Sequence, residues 1–310
     1  MIQNKKQNIP FQLALIILIV VFLSVSLFML CYYFDNKFTA KGPNGVFGAF
    51  ILSEEMLKEY PFFHLLSGWE IYRNKLLAPE DFKTQPLVPD EYVFIGQYRG
   101  FEGSTKLGKT NNPHGSATYR MTLSLPENLQ SYTLELPEIY SAYRLYINQE
   151  LVMQLGNPDP DYYQPLTGNT KVVFQGSGLV EILFAVTDSS HFYSGMLHPP
   201  AFGLSHNIDH LLTLRFALRI GVAALSICVG FFYFVIWFSL KKNRKNLFLL
   251  SYTCLCFCYM IYIFYPVIKS ISFNGMGWYA IERISFPLFL LLAIHIQNNL
   301  YQQYSILSKA

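Results

Sequence analysis

The residues best equipped for chemistry fall into three sets. Aromatic side chains in loop-like stretches, Tyr98, Tyr162, Tyr163 and Tyr193, with Arg99 and His191 beside them, combine a flat apolar face with hydrogen-bonding groups. A sugar ring needs such a platform for its C–H face and polar neighbours for its hydroxyls, so these six residues are the ligand-binding candidates. The carboxylates Glu70, Glu80 and Asp81 are the nearest approach to the acid pair that glycoside hydrolysis requires. Their place in a polar loop reads instead as solvated surface. Asn157, Asp159 and Asp161 offer oxygen ligands at alternate positions, like the first half of a calcium loop, but Gly168 stands where the closing glutamate would be. They are a weak calcium candidate, and no metal, cofactor or catalytic group is expected. No Gly-x-Ser-x-Gly, His-Glu-x-x-His or Gly-Lys-Ser/Thr motif occurs, which argues against an enzyme.

Two further clusters have plainer explanations. His206 and His210, with Asp209 near, share a helix face just before an apolar run, where interfacial solvation accounts for them. Cys254, Cys256 and Cys258 lie two apart within an apolar run; only Cys254 and Cys258 would share a helix face, and buried small hydrophobes are expected. Charges inside apolar runs are different, because they are costly unless they snorkel or pair. Arg215 and Arg219, four apart, and Glu282 stand at similar expected depth, so an Arg219–Glu282 pair is a candidate for coupling neighbouring helices.

The elements that would position these residues follow from charge and hydropathy. The 310 residues are 52% hydrophobic and 14% charged, with a net charge of +3. Soluble domains carry about 25% charged residues. Between Phe34 and His210 there are roughly 12 basic and 19 acidic residues, and the remainder holds about 11 basic and one acidic, so the +3 is the sum of −7 and +10. An acidic body flanked by basic, apolar segments is a poor nucleic-acid partner.

Spanning hydrocarbon takes about 20 apolar residues, and four segments qualify: 11–33, 211–240, 246–268 and 279–301. The first is too long for a cleaved leader and reads as a signal anchor; Met29 and Leu30 before Cys31 argue against lipidation. Lys5 and Lys6, and the cluster Lys241, Lys242, Arg244 and Lys245, both mark cytoplasmic sides. The expected arrangement is a cytoplasmic N-terminus (1–10), an anchor (11–33), an external domain (34–210) and a helix (211–240). A basic loop (241–245), a helix (246–268), an external loop (269–278), a helix (279–301) and a cytoplasmic tail (302–310) follow. The external domain has no cysteine and the chain no Asn-x-Ser/Thr sequon, which favours a bacterial cell membrane.

Within that domain, alternation dominates. Ala117, Tyr119, Met121, Leu123 and Leu125 point one way and Thr118, Arg120, Thr122 and Ser124 the other. Similar patterns cover 132–136, 142–147 and 179–187, with Asn148-Gln149 as a hairpin turn and 53–66 as a short helix. Trp69 and Tyr119 are expected in the core. Short strands with frequent turns predict a β-sandwich or barrel, followed by membrane helices.

The motif order Gly68-Trp-Glu-Ile-Tyr-Arg73, Gly115-Ser-Ala-Thr-Tyr-Arg120, Ile139-Tyr-Ser-Ala-Tyr-Arg-Leu-Tyr-Ile-Asn148, Gly156, Ser190-His-Phe-Tyr-Ser-Gly195 and Gly203 resembles a known family. It is the jelly-roll, galactose-binding-like ectodomain of bacterial seven-transmembrane receptors with diverse intracellular signalling modules, itself similar to the sugar-binding domain of family 2 glycoside hydrolases. The resemblance implies a sensor that binds a carbohydrate or similar small ligand and relays occupancy through the bilayer. Its output would be a kinase or cyclase, as a separate cytoplasmic partner or a missing C-terminal module. The chain departs from the family in having three spans after the ectodomain and Asn148-Gln149 for the usual Asn-Gly turn. A membrane-anchored adhesion module that binds glycan or protein without signalling is the alternative.

Overall fold

The computed structural model describes residues 15, 18–19, 22–23, 25–26, 29–30, 37–39, 41–84, 86–96, 101, 114–136, 139, 141–166, 168, 170–191, 195–240, 247–271 and 275–307. Two compact units divide the chain, Met1–Gly42 and Pro43–Ala310. In the first, the described residues between Leu15 and Leu30 are helical and exposed.

Among the described residues, the second unit opens with nine strands: β1 (Ala49–Ile51), β2 (Phe62–His64), β3 (Trp69–Arg73), β4 (Glu91–Val93), β5 (Gly115–Leu136), β6 (Ala142–Ile147), β7 (Glu150–Leu155), β8 (Thr170–Asp188) and β9 (Ala201–Leu204). All pairings are antiparallel except β1 with β5. The long strands β5 and β8 pair along their whole length, with the register shifting between Leu125 and Gln130. That break divides the sheet into two parts. The first half of β5 carries β1, β3 and β4 on one edge, with β8, β6 and β7 beyond the other; its second half carries β9 and then β2. A single core draws on both halves: Trp69 packs on Phe184, Tyr132 stacks on Phe202, and Phe63 bridges Phe202 and Phe50. The Trp69 indole, fully buried, donates to the Leu65 carbonyl at 2.7 Å, so its one polar atom is satisfied.

The alternation read from the sequence is present: Ala117, Tyr119, Met121, Leu123 and Leu125 are all buried. The Asn148-Gln149 turn joins β6 to β7 with both residues at positive φ (48° and 74°), as a two-residue hairpin turn demands. The helix expected over 53–66 is shorter. It is α1 (Glu54–Glu59), capped by the Ser53 hydroxyl, and Pro61 and strand β2 follow at once. A second short helix, α2 (Asp81–Thr84), lies between β3 and β4.

Three long helices complete the unit: α3 (Ser205–Ser239), α4 (Leu247–Ile271) and α5 (Gly275–Leu307). Among the described residues, two helices are long and apolar enough to cross a membrane, Ser205–Ser239 and Leu247–Ile268. Helices α3 and α4 pack closely: Tyr233 and Tyr252 rings lie 4.4 Å apart and the Ser226 hydroxyl donates to the Cys256 carbonyl at 2.8 Å. A Cβ at Gly230 would lie 3.0 Å from Cys256 Cβ, so the glycine permits this approach. Tyr259 and Tyr262 of α4 meet Phe289 and Phe286 of α5.

Candidate functional site

Of the six ligand candidates, the structure unites Tyr163 and His191 around a residue the sequence did not single out. Asp188 ends β8, fully buried. Its Oδ1 accepts from the backbone N–H groups of Ser190 (2.8 Å) and His191 (2.9 Å) and from the Tyr163 hydroxyl (3.0 Å). Its Oδ2 accepts from the Ser141 hydroxyl (3.2 Å), which itself accepts from Gly195 N–H (3.2 Å). Burial, reinforced by the facing Asp188 carboxylate, raises the Tyr163 phenol above its ordinary pKa and keeps it a donor. Asp188 thus fixes where the segments around 141, 163 and 188–191 meet, with Gly195 joined through Ser141. The legible signal was an Asp followed by small polar residues at a strand end, the signature of a side chain accepting from N–H groups ahead of it. Tyr162, by contrast, is 77% exposed. Tyr98, Arg99 and Tyr193 lie outside the described residues.

Two of the three calcium candidates serve the loop itself, and Asp161 is exposed in the turn Pro160–Tyr162. Asn157 accepts from Asp159 N–H at 3.2 Å and pairs its backbone with Gln164, while Asp159 holds the Arg144 guanidinium at 2.7 Å. Among the described residues, no group of three His, Cys, Asp or Glu comes together as a metal site. The carboxylates Glu70 and Asp81 are likewise engaged. Asp81 accepts from Ala78 N–H at the start of α2, and Glu70 accepts from Tyr72 (2.8 Å) and Arg120 (3.2 Å). Arg120 also binds Glu181 and lies 4.7 Å over the Phe82 ring. Burial opposes its charge, but the two carboxylates more than offset this and raise its pKa.

Arg215, for which the sequence named no partner, is held by the sheet. Its guanidinium binds Glu135 of β5 at 3.2 and 3.3 Å, both side chains mostly buried. The reason is that α3 begins at Ser205, so its first turns climb along the sheet. Lys171 of β8 pairs with Asp209, and Ser131 and Thr133 reach the Ser205 hydroxyl. No residue separates β9 from α3, and Ile208 is fully buried. The side chain of Glu282 lies outside the described residues, and Arg219 is not without contacts.

No protein-family model and no curated protein matches the chain. Among solved structures it is similar to a β-glucuronidase from Faecalibacterium prausnitzii (10% identity, 46% of this chain, 31% of that one, TM-score 0.34). It is also similar to a glycosyl hydrolase family 2 member from Bacteroides cellulosilyticus (13%, 46%, 20%, 0.34). A third is a Ruminococcus gnavus β-glucuronidase in complex with D-glucuronic acid (10%, 46%, 29%, 0.33). The chain spans less than a third of the length of these enzymes, and matches of this strength bear on neither activity nor ligand. What stands is a mostly antiparallel β-sheet domain joined without a linker to long apolar helices.

Proposed function

We propose that this chain is a multi-pass membrane sensor whose jelly-roll domain, outside the cytoplasm, binds a carbohydrate or similar small ligand and relays occupancy through its helices. The observation that carries this reading is the junction of sheet and helix. Strand β9 passes into α3 with no intervening residue, and Arg215–Glu135 and Lys171–Asp209 tie two turns of α3 to β5 and β8. A tethered binding module has no need of such a junction, because a flexible linker would present it as well. A small shift of the sheet, in contrast, must move a helix fixed to it at three points.

The test uses the full chain in lipid nanodiscs. Titration calorimetry against neutral and acidic oligosaccharides and muropeptides is expected to reveal a binder. Cysteine cross-linking between α3 and α4 is then expected to change in its presence. No heat from any compound refutes the ligand half. Binding with unchanged cross-linking refutes the relay and leaves a membrane-anchored adhesion module.

A further inference from the structure

We propose that the open part of the sheet's outer face, formed by Phe47, Tyr92, Glu70, Arg120 and Glu181, is a subsite for a neutral sugar ring; this rests on the sensor reading above. Cross-strand partners share a face. Tyr92 of β4 is opposite Glu70 of β3, which is opposite Arg120 of β5, so the three form one row across the sheet. The Phe47 ring meets Tyr92 edge to face, 5.3 Å between centroids at 83°, and makes a corner beside that row.

Phe47 is 75% exposed and Tyr92 42%, so neither is spent on the core. Nor is Phe47 loosely held. Val46 and Ala49 exchange backbone hydrogen bonds (2.9 and 3.1 Å), and Gly48 donates to Gly68 and accepts from Thr122. Phe47 itself sits at φ 48°, an uncommon conformation for an aromatic residue whose side chain gains no burial from it. A Cβ at Gly48 would lie 2.5 Å from Glu70 Oε1, so glycine lets the turn close onto the carboxylate. The remainder of this face is roofed by the segment between β3 and β4: Thr118, fully buried, bonds Lys75 O and Leu77 N–H, and Phe82 packs on Tyr72 and on one side of Arg120, whose side chain stays 29% exposed. The platform therefore has a wall on one side and is open on the other.

The chemistry selects among occupants. A purely apolar partner would strand the carboxylates without water. The charges of Glu70, Glu181 and Arg120 sum to −2 + 1 = −1, which disfavours a uronate or an anionic headgroup. A neutral pyranose offers a C–H face to the rings and hydroxyl donors to the carboxylate oxygens that Arg120 and Tyr72 do not take, Glu70 Oε1 and Glu181 Oε2.

The test is biolayer interferometry of the full chain in nanodiscs on immobilised cellohexaose, chitohexaose and hexagalacturonic acid. The expected result is binding of a neutral hexamer in preference to hexagalacturonate. Phe47→Ala and Tyr92→Ala should each weaken it about tenfold, with the melting temperature unchanged and the exposed control Leu129→Ala binding like wild type. Preference for hexagalacturonate overturns the charge argument. Equal binding by wild type and both aromatic variants overturns the subsite while the sensor reading stands. Binding of none of the three overturns the subsite, and the wider panel then decides the sensor reading.

Discussion

Replacing Asp188 with alanine removes the acceptor for four donors at once: two backbone N–H groups, the Tyr163 hydroxyl and the Ser141 hydroxyl. Each hydrogen bond to a charged group contributes about 1.5–3 kcal/mol, and an orphaned buried donor costs about 1–3 kcal/mol. The four are not additive, since Tyr163 and Ser190 are near enough to the surface to recover water. Ser141 is fully buried and does not. The expected loss is about 3–6 kcal/mol, a large share of the roughly 5–15 kcal/mol available to a domain. Asp188→Asn keeps Oδ1 in place and presents an amide toward Ser141, whose hydroxyl already accepts from Gly195 N–H. It should cost only about 1–2 kcal/mol. Urea unfolding of the full chain in detergent checks this by Trp69 fluorescence in a Trp237→Phe, Trp278→Phe background. With a slope of about 1–3 kcal/mol per molar, Asp188→Ala should lower the midpoint by more than about 1 M. A loss below about 1 kcal/mol, or an Asn variant as damaged as the Ala variant, would refute the account of Asp188 as an acceptor hub.

Three other outcomes are expected. Gln149 sits at φ 74° in the β6–β7 turn, where a side chain costs about 1 kcal/mol relative to glycine; Gln149→Gly should raise the unfolding free energy by that amount, read as a higher urea midpoint, and a drop would show a side-chain contact outweighing the strain. Burial pushes the Tyr119 phenol up to about 12; because the folded pKa exceeds the unfolded value near 10, the unfolded chain alone loses this proton between pH 10 and 12. Stability should therefore be unaffected by this group below about pH 10 and fall by about 2–3 kcal/mol by pH 12, with a shallower decline in Tyr119→Phe under alkaline thermal melts. Glu135→Arg and Arg215→Glu should each lower the melting temperature, and the double exchange should recover part of the loss, a coupling of about 1–2 kcal/mol for a pair this protected; strict additivity would deny the contact.

What the sequence revealed was whatever depends on near neighbours. The period-two pattern from Ala117 to Leu125 named five buried residues because inward facing follows from strand geometry alone. The same pattern sent Thr118 to solvent, and it is fully buried, because a segment some forty residues upstream roofs that face and supplies its hydrogen bonds. Arg215 shows the same limit. Its spacing from Arg219 placed it in a membrane helix, but its carboxylate partner is eighty residues away on a strand whose own pattern marked Glu135 only as outward. Asp188 escaped notice for a related reason: its four donors come from three separate stretches of chain, and only the turn ahead of it is local.

Strand β5 runs through two of these separate places. Its first half holds Arg120 in the outer-face row, and its second half holds Glu135 against Arg215 of α3, with the register shift between Leu125 and Gln130 dividing them. Both halves remain hydrogen-bonded to β8, which carries Glu181 beside Arg120 and Lys171 beside Asp209. The two strands therefore run side by side from the proposed sugar subsite to the helix junction. Opposite the break, Gly178 adopts a positive φ of 63° with open space where a Cβ would be, so its glycine serves backbone bending and not packing. A ladder that is continuous at both ends and yielding only at its centre transmits a hinge-like rotation better than a stretch along the strands. The movement expected at α3 on ligand binding is accordingly a tilt about the sheet junction, which changes distances between α3 and α4 most at the far end of α3, near Ser239.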